Sequence, residues 1–190
     1  MSDLADELKG DSVSVARRIL GSLIIRSING KEVICRIVET EAYDQNDQAS
    51  HSYHGKTKRN EVMFGSPGYA YIYFTYGMHY CLNIVVGPKD YGSAVLIRAV
   101  EPLSEIDIIR RNRSNIANDI MLTNGPAKLC QALNLDLKLN GHDLSRKPFR
   151  LVLKPEIPSS NIGRSSRVGI KHGLDKKWRL YIKNNPYVSR

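Results

Sequence analysis

Cysteine is scarce in this chain of 190 residues: Cys35, Cys81 and Cys130 are odd in number, far apart and set among apolar neighbours. That pattern excludes a disulfide framework and reads as buried thiols in a reducing compartment. No CxxC pair occurs and no two histidines stand at ligand spacing, so neither a metal nor any other cofactor is expected. No run is apolar for long enough to span a bilayer, and the opening Met1-Ser-Asp-Leu-Ala-Asp-Glu7 lacks the apolar core of an export signal. The expectation is a protein of the cytosol, without a membrane. Repeats, low-complexity tracts and linkers are also missing, which suits one domain over 1–190 with a sizeable core. Acidic residues are few: 19 against 28 Lys and Arg, a net charge of +9. A field of that sign favours a polyanionic partner through phosphate contacts and counterion release, although a merely soluble basic protein has the same balance.

Against these shortages stands an unusual wealth of tyrosine, ten residues, half of them within Tyr69-Ala-Tyr-Ile-Tyr-Phe-Thr-Tyr-Gly-Met-His-Tyr80. The surrounding pattern is mixed. Residues 12–22 predict a short amphipathic helix that starts near Asp11 or Ser12 and closes at Gly21. Strands are expected over 23–28 and 32–43, joined by Asn29-Gly30, a pair suited to a type I′ turn. The polar, basic stretch 44–68 predicts a long functional loop. A second hairpin spans 69–74 and 79–86 and turns at Tyr76-Gly77. Another strand covers 93–100. A helix is expected from Ser104 to Arg113, with Asp107 completing a capping box, and another opens at Gly125-Pro126 and runs to Leu133. Strands at 149–153 and 178–183 follow. Without regular βα alternation, the expected class is α+β around a largely antiparallel sheet.

Strand periodicity selects the candidate site. Residues i and i+2 share a face, so Glu39, Glu41 and Tyr43 line one side and Val38, Thr40 and Ala42 the other. Carboxylates inside an apolar strand are either solvated at an exposed edge or paired and used. Arg98, in Ala94-Val-Leu-Ile-Arg-Ala-Val100, is the natural counter-charge, with Glu41 or Glu101 as its partner. Tyr69, Tyr71 and Tyr73 share a face too. Tyrosine packs on many sheet surfaces, but Tyr76 at a turn is an odd choice unless a ring there wedges between base steps. His51 and His54 offer titratable rings in a polar loop. The basic clusters 56–59, 110–113, 164–167 and 171–172, and Lys128 in the first turn of its helix, are candidates for phosphate contact.

The ordered segments Arg36-Ile-Val-Glu-Thr-Glu-Ala-Tyr43, His51-Ser52, Arg59-Asn60, Met63-Phe64, Pro67-Gly68, Tyr71-Ile-Tyr73 and Tyr76-Gly-Met78 resemble the alkyladenine (methylpurine) DNA glycosylase family. So do Asn83, Leu96-Ile-Arg-Ala-Val-Glu-Pro102, Gly125-Pro-Ala-Lys-Leu-Cys-Gln-Ala-Leu133, Arg167-Val-Gly-Ile170 and Pro186-Tyr-Val-Ser189, so that the likeness runs from about Val15 to Ser189. His79 stands where the family carries an aromatic residue, and the loop from Tyr43 to His51 is shorter than the mammalian pattern.

The resemblance implies a curved sheet with surrounding helices and a hairpin that enters the minor groove of double-stranded DNA. It implies a base excision repair enzyme that flips out alkylated purines (3-methyladenine, 7-methylguanine, hypoxanthine or ethenoadenine) and hydrolyses the N-glycosidic bond, leaving an abasic site. By the same likeness Glu41 is the general base and Arg98 contacts it. Tyr43, His51 and Tyr73 enclose the base, and Asn83 disfavours guanine. Tyr76 and Met78 intercalate. With no lysine in the motif core the enzyme is expected to be monofunctional, and a monomer of the compact bacterial type working on the nucleoid. Two rivals use other chemistry: a non-catalytic nucleic-acid-binding module with the tyrosines as a stacking platform, and a hydrolase of small glycosides using Glu39 and Glu41, same-face carboxylates about 7 Å apart.

Overall fold

The computed structural model describes residues 3–189. Its helices are short: α1 (Leu4–Glu7), α2 (Ser12–Arg18), α3 (Ile106–Asn112) and α4 (Pro126–Ala132). Its strands are β1 (Leu23–Ile28), β2 (Lys31–Tyr43), β3 (Ala70–Thr75), β4 (His79–Val85), β5 (Ala94–Pro102), β6 (Phe149–Val152), β7 (Ile162–Ser165) and β8 (Arg179–Ile182). They form one sheet, six of them in the order β3-β4-β5-β2-β1-β6, with β8 paired to β2 and β7 to β8, and every named pair is antiparallel. The class is α+β, as the pattern predicts.

The long β2 organises the sheet. One of its edges pairs with β5 from Cys35 to Tyr43; the other pairs first with β1, through residues 31–36, and then with β8, through Glu39–Glu41. The sheet thus branches where the two glutamates lie. The register against β5 shifts between Ile37 and Thr40, the mark of a bulge, which bends a strand and re-aims its side chains. Asn29 and Gly30, both at positive φ, close the β1–β2 hairpin as expected.

The core lies between the sheet and the helices, with α2 against β2 and β5 and α4 against β4 and β5. Ile24, Ile37, Leu82, Ile84, Ile97 and Phe149 are fully buried there, each contributing about 1.5–3 kcal/mol by transfer from water. Asp11 caps α2 by accepting from the Val13 and Ser14 amides, a cap worth ~1 kcal/mol. That helix ends earlier than the apolar pattern predicts, and Leu20 and the left-handed Gly21 make the turn into β1.

Two expectations need correction. The helix at Ser104 starts only at Ile106, and Ser104 caps nothing. Its hydroxyl donates to the Glu32 carbonyl and accepts from the Ile34 amide, so it ties the segment to β2 instead. Asp107 pairs with Arg110 and closes no capping box. The stretch 44–68 is a long loop, as expected, and a packed one: it contains a 3₁₀ turn, Glu61–Phe64, and buries Asp47, Ser50, Ser52, Asn60, Met63 and Phe64. The short α1 and β7 carry too little periodicity to have been read. Cys35, Cys81 and Cys130 are buried free thiols.

Candidate active site

The bulged part of β2 delivers Glu39 and Glu41 into the interior, both without exposed surface, which rules out the solvated-edge reading. The Glu41 carboxylate accepts from the Tyr43 hydroxyl at 2.9 Å and from the Val168 amide at 2.7 Å, and the Arg98 Nη1 lies 3.5 Å away. Burial pushes the Glu41 carboxyl above its ordinary value; Arg98 and the two hydrogen bonds pull against that push, and nearby Glu39 adds to it. A buried acid with a raised pKa, beside three groups that favour its charged form, has the surroundings that general-base chemistry can use.

Arg98 projects from β5, opposite this pair. Its Nε donates to Glu39 at 3.1 Å. The expected choice between Glu41 and Glu101 is thus resolved toward Glu41, with Glu39 as the closer partner. Glu101 pairs with Arg36 instead.

Tyr43, Arg98 and Val168, the three groups that hold Glu41, line a cavity of about 380 Å³, within the range of small-molecule pockets, roughly 300–1,000 Å³. His51, Tyr71, Tyr73 and Asn83 line it as well, and Tyr76 stands at its edge. The rings are interlocked. His51 and Tyr73 meet edge to face with centroids 4.5 Å apart, and the His51 Nδ1 is 3.0 Å from the Tyr71 hydroxyl. His51 keeps an exposed edge, yet partial burial and then Arg59 lower its pKa, so the ring is neutral at pH 7. Burial raises the Tyr71 hydroxyl to about 12 and pushes up Tyr43 and Tyr73, so all three stay protonated donors. The Asn83 amide donates to the Tyr71 carbonyl at 3.1 Å, which orients its carboxamide at the wall.

Tyr71 is fully buried and Tyr69 lies off the cavity, so the run walls a pocket and offers no open stacking platform. The pairing of Glu39 with two arginines and Ser189 likewise leaves it no room to act as the second carboxylate of a glycosidase pair.

Beyond the cavity the β3–β4 hairpin ends in Tyr76 and Met78, 87% and 69% exposed. Tyr76 and Gly77 both take positive φ, and the Met78 amide donates to the Thr75 carbonyl. A tyrosine in the left-handed region is uncommon and is tolerated where the turn demands it.

The basic clusters separate into two kinds. Lys56, Lys58, Arg59, Arg164 and Lys171 are exposed. Arg167 is not: it is buried, donates to the Ala42 carbonyl and to Asp47, and lies 4.7 Å over the Tyr43 ring and 5.2 Å over Trp178. Sequence alone does not tell it from the phosphate-binding candidates; its neighbour Val168, whose amide holds Glu41, shows its role in the wall. Arg110 is taken up by Asp107 and Asp119, Arg113 by the Met121 and Leu122 carbonyls, and Lys128 by Asn124. These three hold structure. Among the described residues no group of His, Cys, Asp and Glu is placed to hold a metal ion, and no helix is long and apolar enough to cross a membrane.

The model of the methylpurine-DNA glycosylase family matches residues 6–186. A protein of Carboxydothermus hydrogenoformans is 52% identical over 181 residues, covering 95% of this chain and 94% of its own. One of Natranaerobius thermophilus is 47% identical, covering 94% of each chain, and one of Francisella tularensis is 43% identical over the whole of both. All three carry the name "Putative 3-methyladenine DNA glycosylase". The ring-walled cavity with its buried carboxylate thus belongs to a member of the methylpurine-DNA glycosylase family.

Proposed function

We propose that this chain, acting as one domain and as a monomer on double-stranded DNA at the nucleoid, excises alkylated purines and leaves an abasic site. The observation that carries the reading is Glu41, buried and raised in pKa directly behind a cavity walled by tyrosines. A base within a duplex is out of reach, so it must rotate into such a pocket. Tyr43, His51 and Tyr73 then enclose it, and stacking worth ~1–3 kcal/mol per base offsets much of the unstacking cost. The β3–β4 hairpin enters the minor groove, where Tyr76 and Met78 fill the space that the base leaves. Asn83 disfavours guanine, because its carboxamide meets the exocyclic amine.

Glu41 takes a proton from the attacking water and stabilises the oxocarbenium-like sugar as the purine departs; Arg98 positions the carboxylate. Alkylation at N3 or N7 makes the purine cationic. It then stacks better on electron-rich rings and leaves as a neutral molecule, so cationic lesions are excised faster than neutral ones. No amine stands in the motif core, and water alone is the nucleophile, so borohydride traps no protein–DNA adduct.

The test is single-turnover release of base from a duplex that carries one alkylated adenine, wild type beside Glu41→Gln. Release falls by at least ~1,000-fold, within the range of general-base contributions, while binding to the damaged duplex persists. Comparable release by both proteins removes Glu41 from the mechanism. Binding without release by either makes the chain a damage-binding module.

A further inference from the structure

Glu39 is as deeply buried as Glu41, and the reaction above gives it no task. A carboxylate in that position costs several kcal/mol unless donors surround it. Its donors come from three parts of the chain. Oε1 accepts from the Arg98 Nε of β5 at 3.1 Å, from the Arg179 Nε of β8 at 2.5 Å and from the Ser189 hydroxyl at 2.8 Å. Oε2 accepts from the Ser189 amide at 2.6 Å. Arg179 closes the ring by donating to the Ser189 carbonyl at 2.8 Å and to the Ser165 hydroxyl at 3.1 Å.

Arg98 is thereby held by its Nε edge. Only Nη1 faces Glu41, at 3.5 Å, and Nη2 leans toward the Ser189 hydroxyl at 3.4 Å. A guanidinium left to itself grips a carboxylate with two parallel hydrogen bonds. Such a grip on Glu41 would occupy the oxygens that must take a proton and would make them a poorer base.

We propose that Glu39, locked by Ser189 and Arg179, is a positioning residue that draws Arg98 away from a two-pronged grip on Glu41 and so keeps that carboxylate available as a base. The inference rests on the reading of Glu41 as the base. The groups that face Glu41 are Arg98 from β5, Glu39 and Tyr43 from its own strand and the Val168 amide from the loop after β7. Without the charge of Glu39, Arg98 turns fully to Glu41 and the repulsion from Glu39 is gone. Both changes lower the pH at which Glu41 ionises.

The experiment compares wild type, Glu39→Gln and Ser189→Ala in three measurements. They are single-turnover excision of 3-methyladenine from duplex DNA across pH, ¹³C titration of the Glu41 carboxyl in the free protein, and urea unfolding. In Glu39→Gln the rate at the optimum falls on the order of 100-fold, the scale of a misplaced reacting group, and the acid limb moves to lower pH together with the Glu41 titration. Ser189→Ala keeps the amide bond to Glu39 and shows the same changes at about a tenth of the size in rate. A folded Glu39→Gln with the wild-type rate and an unmoved acid limb overturns the proposal. So does a rate lost only in proportion to unfolded protein, with the Glu41 titration unmoved. Should Glu39→Gln not fold, Ser189→Ala decides alone: an unmoved limb and rate overturn the proposal. If the wild type releases no base, the functional reading fails by itself, and the ¹³C titration still decides whether Glu39 controls Glu41.

Discussion

The cavity and the hairpin tip are two ends of the same pair of strands, β3 and β4, yet they are built on opposite principles. In the cavity each chemically important side chain is held by another: Tyr43 by Glu41 and Arg167, His51 by Tyr71, Asn83 by the Tyr71 carbonyl. At the tip Tyr76 and Met78 stand in solvent, and the backbone turn places them. Preorganised donors cost no rearrangement at the moment of reaction, which suits a place where charge develops. The wedge proposed for the tip would meet its partner only in the duplex, so its rigidity would have to come from the turn. The difference predicts that substitutions in the cavity wall damage fold and function together, while those at the tip damage function alone.

Arg167→Met puts the held wall to the severest test. Asp47 is buried; burial pushes its carboxyl up, but Arg167 and Lys176 together hold it below its ordinary value. Removing the guanidinium leaves Asp47 with Lys176 alone and strips the cation from behind Tyr43. Breaking a buried pair by deleting one partner costs about 3–5 kcal/mol. Urea unfolding should show a loss of that size, with excision falling beside it. Unchanged stability would mean that the wall does not depend on this pair.

Tyr76→Ala tests the other end and carries a smaller effect. The ring touches little of its own protein, so the unfolding midpoint should stay within error of wild type. Loss of one stacking contact, ~1–2 kcal/mol, predicts roughly a tenfold fall in excision or in affinity for damaged duplex. A clear loss of stability would show that the tip leans on the protein after all.

The same contrast explains what was legible in the sequence. The α+β class, the Asn29-Gly30 hairpin, the β3–β4 hairpin and the neighbourhood of Glu41, Arg98 and Tyr43 follow from period two and turn chemistry, which are local signals. The partners were legible only in part: Glu41 was one of two candidates for Arg98, and Glu39 was not among them. That Arg98 takes Glu39 and not Glu101 depends on a bulge in β2 and on a segment near residue 189, 150 positions along the chain. Arg167 and Arg164 read alike in sequence, and only tertiary packing buries the first beside Asp47 and leaves the second exposed. The Ser104 capping box failed for the same reason, because a tertiary hydrogen bond to β2 outcompeted the local one.

The smallest expected effect concerns stability at Glu41 itself. Its carboxyl is raised in the folded protein, chiefly by burial, so the fold favours the protonated form. The contribution of the neutral acid is fully present below the ordinary carboxylate value of 4.5 and is lost as pH rises through the raised one. Glu41→Gln, which cannot ionise, escapes that loss. The variant expected to abolish excision should therefore be the more stable protein at pH 7, with the gap closing toward pH 4. Thermal melts of both proteins from pH 4 to 8 give the answer. A Tm gap constant across that range would place the cost of Glu41 in its hydrogen bonds and not in its charge. A gap that opens with pH would show that the site keeps an ionised carboxylate at the expense of the fold, as a general base requires.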